Sequence, residues 1–223
     1  MSDPSILFDA VMDGNLSEVR VLLDNNPDLV NVRNASDISL LMWAAYNKQT
    51  DILQYLREKK SSLDIYEATA LGEIQVVENL LHKDKDLVND YSPDGFTPLG
   101  YAAFFGYPEL ASTLLSYGAR VNVFSKNIMQ VYPIHSAVAN RNHDIAYKIT
   151  RLLLSHKANV NVKQRGGWTP LHQAAAHGNQ KLVKLLLEHG ADRNAKSDDG
   201  QSPFDLAEEN GHEEILQILK SHK

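Results

Sequence analysis

Residues 167–178 read GWTPLHQAAAHG, and the fold prediction depends on this stretch. It begins with a Thr-Pro step, continues into three consecutive alanines and ends at a glycine. Thr169 can cap a helix by accepting backbone N–H bonds, and Pro170 suits the first helical turn, where its missing N–H has no partner in any case. Gly178 can adopt the left-handed conformation that ends a helix. The stretch therefore predicts a short first helix whose alanines let neighbouring backbones approach closely.

The next segment predicts a second helix. Residues 181–189, KLVKLLLEH, carry five apolar residues with charged residues between them, which gives one broad buried face. Gly190 then ends this helix. Because one helical pair leaves apolar surface on both of its sides, neighbouring pairs must stack, and most of the stability should lie between repeats.

The same pattern recurs along the chain with a period of about 33 residues. Successive copies place a proline at the helix start, at Pro98, Pro133, Pro170 and Pro203. These prolines lie 35, 37 and 33 residues apart. Three degenerate N-terminal copies place Ile6, Leu40 and Asp64 there instead. We predict one domain with repeats at residues 5–37, 38–61, 62–94, 95–129, 130–166, 167–199 and 200–223.

Residues 167–194, GWTPLHQAAAHGNQKLVKLLLEHGADRN, resemble the ankyrin repeat. The family pattern is Gly-x-Thr-Pro-Leu-His-x-Ala-Ala-x-x-Gly, then a leucine-rich helix and Gly-Ala-Asp-x-Asn. The likeness covers essentially the whole chain, and the order of the degenerate copies is also similar to a group of bacterial ankyrin-repeat proteins. The resemblance implies an all-α solenoid of about seven helix-turn-helix repeats with short β-hairpin or loop fingers. It also implies that His172, and His135 one repeat earlier, brace neighbouring loops by hydrogen bonds.

Two copies depart from the regular length. Leu40 and Asp64 are only 24 residues apart, and the shortfall lies where EKKSS replaces the usual turn. This spacing predicts that the hairpin between repeats two and three is missing. In repeat five, residues 142–157 predict a second helix about four residues longer than its counterparts, or about one helical turn, which should protrude.

Composition excludes several classes of function. Lys and Arg total 22 against 28 Asp and Glu, for a net charge of −6, and no long basic run is present, so nucleic acid and anionic membranes are disfavoured as partners. The chain has no cysteine, which excludes disulfides and thiolate chemistry. No apolar run reaches the roughly 18 residues of a membrane span, and the start MSDPSILFDA lacks the order of a secretory signal. We therefore expect a cytoplasmic protein.

The histidines do not predict a metal site. A zinc site needs three or four converging ligands, and His172 and His177 are five residues apart, which does not place two rings on one helical face. Further histidines lie in scattered phase on or near second helices, at His82, His143, His156, His189, His212 and His222. No nucleophile elbow or phosphate-binding loop is found. We expect no metal, no cofactor and no catalytic residue.

Two variable zones remain as candidate binding surface: the finger tips, and the pair of residues before the glycine that ends each first helix. The resemblance implies that these zones line a concave surface. Aromatic residues beside Arg and Met are typical of binding hot spots. The predicted partner-binding residues are Tyr46, Tyr91, Phe96, Phe104, Phe105, Met129, Val131, Arg165, Trp168 and His177.

A local-packing interpretation competes with this one. Phe96 and Trp168 could fold over their own fingers, and Phe104 or Phe105 could turn inward. We predict a non-enzymatic adaptor or inhibitor, monomeric by itself, that binds a partner protein through the concave face and fingers of repeats four to six. The alternatives are a secreted bacterial effector with the same binding mode, and an enzyme or regulatory subunit built on the scaffold.

Overall fold

The structure is a computed structural model that describes residues 4–221. Within them, fourteen α-helices follow one another as seven helix-turn-helix pairs. The first helices of the pairs are α1 (Pro4–Met12), α3 (Leu40–Tyr46), α5 (Ile65–Ala70), α7 (Pro98–Phe105), α9 (Pro133–Val138), α11 (Pro170–Ala176) and α13 (Pro203–Glu209). The second helices are α2 (Leu16–Asn25), α4 (Thr50–Lys59), α6 (Ile74–Lys83), α8 (Pro108–Ser116), α10 (His143–Ser155), α12 (Gln180–Glu188) and α14 (Glu213–Ser221). The prediction of an all-α repeat solenoid is confirmed.

Four first helices begin at the predicted prolines and α3 begins at Leu40, but α1 begins at Pro4 instead of Ile6, and α5 begins at Ile65 because Asp64 caps it. The Thr97 hydroxyl accepts a hydrogen bond from the Gly100 amide at 3.2 Å, and Pro98 follows as the first helical residue. In the degenerate third copy, the Asp64 carboxylate accepts hydrogen bonds from two amides, that of Glu67 at 2.8 Å among them. Each side-chain cap satisfies backbone donors that have no partner within the helix.

The pairs stack side by side. First helices contact the first helices of neighbouring pairs, and second helices contact second helices. One hydrophobic cluster runs continuously from Leu41 in α3 to Leu219 in α14, and a second cluster joins the N-terminal pairs through Leu7 and Leu40. The core therefore lies between pairs, as the stacking prediction requires. His222 and Lys223 lie outside the described residues.

The fingers are loops between each second helix and the next first helix. Residues 4–221 contain no β-strand and one isolated antiparallel bridge, Arg33 to Ser39, so of the predicted hairpin or loop fingers the structure has the loop form. Two 3₁₀ helices, Pro27–Asn31 and Lys85–Asn89, each lie just before a finger. Neighbouring tips are joined by single backbone–backbone hydrogen bonds, such as the Lys126 amide to the Gly95 carbonyl at 2.8 Å. Single bonds align the tips without forming ladders.

The two irregular copies have the expected form. Only residues 60–64 connect α4 to α5, so no finger precedes the third pair. Helix α10 has 13 residues, against nine in α8 and in α12, and its first residues His143 and Asp144 are exposed. The finger before α9 is also longer: its closing bond joins the Ser125 amide to the Val131 carbonyl, whereas the equivalent bonds elsewhere span four residues.

Candidate functional site

A cleft of about 340 Å³ opens where α3, α7 and α9 end. We call it the inner cleft, and its lining residues are Ala45, Tyr46, Lys48, Phe104, Phe105, Ser136, Ala139, Asn140 and Arg141. Helix α5 lies between α3 and α7 but lines none of the cleft, because its last residue, Ala70, is small and buried. Residues from repeats two, four and five therefore meet over the third pair.

Three aromatic rings form one wall of the inner cleft. Phe104 is 45% exposed and meets Tyr46 edge-on at 6.1 Å between ring centroids, and Phe105 at 5.1 Å. Phe105 is half-buried and packs against Tyr101 at 5.9 Å. The alternative that one of the two phenylalanines turns inward thus applies to Phe105, whereas Phe104 presents its ring to solvent.

The hydroxyl of Tyr46 is engaged inside the protein. It donates to the Asp94 carboxylate, which also accepts hydrogen bonds from the Tyr101 hydroxyl and, at 2.6 Å, from the Ser92 hydroxyl. Burial, together with the nearby Tyr101 and Asp94, raises the pKa of Tyr46 far above its ordinary value. Burial and the hydrogen bond to Asp94 raise the pKa of Tyr101 in the same direction. We call these four residues the tyrosine network; it keeps both phenols protonated.

Two cations lie at the inner cleft. Lys48 and Arg141 line it, both are exposed, and among residues 4–221 neither forms an ion pair. No Asp or Glu is among the lining residues. Asn140 lies beside Arg141, and its amide nitrogen would be 2.6 Å from a Cβ at position 106, where the φ of +85° also favours glycine. The inner cleft thus combines apolar rings with unneutralised positive charge.

A second cleft, of about 390 Å³, shares Arg141 with the first and is lined further by His143, Ala176, His177 and Asn210. Partial burial lowers the pKa of His177, a hydrogen bond to the Val138 backbone opposes this shift, and the nearby Arg141, His143 and His212 lower the pKa further. His177 is exposed, as its place in the variable pair predicts. The imidazole is therefore mostly neutral at pH 7 and can accept or donate a hydrogen bond.

Finger residues fall into packed and exposed groups. Phe96 stacks on Tyr101 at 5.4 Å and Trp168 lies 6.0 Å from the His172 ring, so both are half-buried, as the local-packing alternative states. Tyr91 and Val131 are also half-buried, with the Lys126 ammonium 4.1 Å from the Tyr91 ring. Arg165 is exposed, and Met129 is 46% exposed.

Sequence reasoning missed Ile128, which is 70% exposed beside Met129. The signal was the finger before α9, which is longer than its counterparts. It also missed Lys48 and Arg141; Asn140 belongs to the variable pair of repeat five but was not among the predicted partner-binding residues. Here the signal was the position of the two cations, which directly follow the variable pair where five other copies have glycine.

The two histidines expected to brace the loops do so. The Nε2 atom of His135 hydrogen-bonds the Trp168 carbonyl at 3.1 Å, and that of His172 the Gln201 carbonyl at 3.0 Å, each in the next finger. Burial lowers the pKa of both rings, that of His135 to about 4. Throughout residues 4–221, no group of three or more His, Asp and Glu is placed to hold a metal ion. In the same range, no helix has the length and hydrophobicity of a membrane-spanning segment.

Comparisons with known proteins agree with this architecture. Residues 65–164 and 134–223 match a family model described as ankyrin repeats in three copies, and residues 7–57 match one described as ankyrin repeats in many copies. The ankyrin repeat protein FPV014 of fowlpox virus is 30% identical over 178 residues, which is 75% of this chain and 39% of that protein.

Two yeast proteins are also similar. The Target of rapamycin complex 2 subunit AVO2 of Saccharomyces cerevisiae is 28% identical over 78% of this chain and 43% of its own length. A protein of the same yeast named "Probable 26S proteasome regulatory subunit p28" is 26% identical over 78% of this chain and 79% of its own. The chain thus spans less than half of the first two of these relatives.

Proposed function

This chain belongs to the ankyrin-repeat family, and from that premise we propose that it is a non-enzymatic interaction module, an adaptor or an inhibitor. We propose further that it binds its partner protein through the concave face and fingers of repeats four to six. Ankyrin repeats are generally protein–protein interaction modules and generally have no enzymatic activity. Two relatives are named as subunits, one of Target of rapamycin complex 2 and one of the 26S proteasome, which supports a role inside an assembly.

The exposed ring of Phe104 supports this proposal most. A large aromatic side chain that is 45% exposed, at the edge of a cleft and beside two other rings, has the features of a binding hot spot. Ile128 and Met129 extend the apolar surface at the finger tips. Because the loops are already held by hydrogen bonds between fingers, docking would order few additional residues.

We further propose that the isolated chain is a monomer and acts in the cytoplasm. A secreted effector would use the same surface and differ only in its location, and no contact within the described residues favours it. Sedimentation of the purified chain tests the first statement, and imaging of the tagged protein in its own cell tests the second.

Affinity capture from the native cell, with quantitative mass spectrometry, tests the binding surface. We expect one set of proteins to be captured by the wild type and by Val21→Ala, whose side chain is 60% exposed on α2, but to be lost with Phe104→Ala and with Ile128→Ser/Met129→Ser. Helical circular dichroism should be unchanged in all variants. A partner retained by both surface variants would reject the proposed surface.

A further inference from the structure

The positive charge at the inner cleft is unusual for this chain. The net charge is −6, yet Lys48 and Arg141 lie at one cleft with no carboxylate among the lining residues. Some other cations among residues 4–221 are paired with carboxylates, as Arg57 is with Glu73 and Lys196 with Asp205. Two cations at one cleft, with no carboxylate among its lining residues, attract an incoming anion.

The aromatic wall of the inner cleft favours contact with an apolar group of a ligand. Phe104, Phe105 and Tyr46 offer ring faces and edges, and the Tyr46 hydroxyl is already used by Asp94 and does not compete for a ligand. An apolar side chain placed there would remove the exposed part of Phe104 from water. The volume of about 340 Å³ is at the lower end of the range for ligand pockets, so it takes a few side chains and not a whole structural element.

From these two observations we infer that the inner cleft takes a peptide segment of the partner protein in which a large apolar side chain lies close to an aspartate or glutamate. The apolar side chain contacts Phe104, and the carboxylate lies between Lys48 and Arg141. This inference rests on the proposed function, because it specifies which part of a protein partner the cleft receives. It does not depend on the finger tips.

Selection from a phage-displayed library of random 12-residue peptides on the full chain tests the inference. Enriched peptides should carry Asp or Glu within three residues of Leu, Met, Phe or Trp. A synthetic enriched peptide, measured by fluorescence anisotropy, should bind Phe104→Ala and Arg141→Glu at least tenfold more weakly than the wild type. The matched control is Arg120→Glu, an exposed arginine outside both clefts, which should change the affinity less than twofold.

A charge swap makes the test specific. The same peptide with its acidic residue replaced by lysine should bind the wild type at least tenfold more weakly and should regain most of that loss on Arg141→Glu. Thermal melts of each variant, with midpoints close to the wild type, show that the changes act on binding and not on folding.

Other results overturn the inference and leave the proposed function to be decided by the capture experiment. The first is that the enriched peptides lose affinity for Phe104→Ala but are neutral or basic. The second is that the peptides bind Phe104→Ala and Arg141→Glu as tightly as the wild type, or that no peptide whose binding depends on the cleft is enriched. The third is that the chain binds a single-stranded oligonucleotide more tightly than it binds the peptides. If one of these results is found and Phe104→Ala also loses the captured partner, the proposed binding surface is retained. Only the proposal that the cleft takes an acidic and apolar segment is then rejected.

Discussion

At the scale of single residues, two cations occupy positions that glycine holds in other copies. Lys48 has a φ of +56°, in the left-handed region that a side chain makes costly, and Gly14 and Gly178 adopt the same conformation at equivalent positions. The backbone therefore favours glycine at position 48, whereas the inner cleft gains a positive charge from lysine.

Replacing Lys48 by glycine should stabilise the fold and weaken binding of an acidic peptide. We expect the free energy of unfolding in urea to rise by about 1 kcal/mol, because the left-handed conformation carries no side-chain penalty in glycine. Lys157→Gly is the matched control, since Lys157 has a φ of +66° and lies outside the inner cleft. Lys157→Gly should raise the free energy of unfolding by a similar amount without any loss of peptide affinity. An equal loss of peptide affinity in both variants would contradict a role of Lys48 in binding the acidic residue.

The buried His135 makes stability depend on pH. Its folded pKa is about 4, below the ordinary 6.5, so between these values the unfolded chain binds a proton that the folded chain does not. Stability is therefore fully present above pH 6.5 and falls as the pH is lowered towards 4. The Nε2 hydrogen bond to Trp168 also requires the ring to stay a donor at that atom.

We expect this residue to contribute a loss of about 2 kcal/mol between pH 7.5 and pH 5. The measurement is urea denaturation of the wild type and of His135→Gln at both values. His135→Gln is less stable than the wild type at either pH. The loss in its free energy of unfolding between pH 7.5 and pH 5 should be about 2 kcal/mol smaller than the loss in the wild type. Equal changes in both proteins would show that His135 does not titrate in this range; His172 is present in both and cancels.

At the scale of elements, the missing finger before α5 explains how distant repeats meet. A finger there would separate α3 from the finger before α7, but only residues 60–64 make the connection. Tyr46 in α3 consequently reaches Asp94, 48 residues away, and Tyr101 in α7. The tyrosine network thus replaces the missing finger and fixes the aromatic wall of the inner cleft.

Removing one phenol should loosen this connection. Tyr46→Phe deletes a hydrogen bond to a carboxylate in a half-buried place, and we expect it to lower the free energy of unfolding by about 1.5 to 3 kcal/mol. Tyr91→Phe makes the same chemical change at a half-buried ring that contacts the Lys126 ammonium, and it should cost less than about 0.5 kcal/mol. Similar losses in the two variants would show that the network adds no stability of its own.

At the scale of the whole molecule, stability lies in the contacts between pairs. Helices contact the equivalent helices of the next pair, and the hydrophobic cluster is continuous from α3 to α14. In α14, Ile215, Leu216 and Leu219 are buried, while Glu213 and Glu214 are exposed. This helix thus packs its apolar side on the preceding pair and presents charge to water.

A cavity made between pairs should therefore weaken the whole chain. Leu114 in α8 is fully buried, and Leu114→Ala should lower the free energy of unfolding by about 2 to 5 kcal/mol. Val21→Ala, at an exposed position of α2, should change it by less than about 0.5 kcal/mol. Urea denaturation followed by circular dichroism makes the comparison, and equal effects would contradict a core between pairs.

The bracing by His135 and His172 followed from the resemblance to the ankyrin repeat, whereas the sequence by itself determined the helical pairs, the absent finger before α5 and the longer α10. These features depend on signals within one repeat or on its spacing to the next, and caps, glycine ends and apolar faces act over a few residues. The repeat boundaries stay a prediction, because helix limits alone do not define them.

Only the tertiary structure decided which aromatic residues face solvent and which charges share a cleft. Phe104 and Phe105 are adjacent and equally apolar, and the ring of Tyr101 decides that Phe105 is the half-buried one. Lys48 and Arg141 are 93 residues apart and meet at one cleft because four stacked pairs, the second to the fifth, bring their first-helix ends together. Stacking depends on the fit of whole pairs against each other, and no local pattern in the sequence encodes that fit.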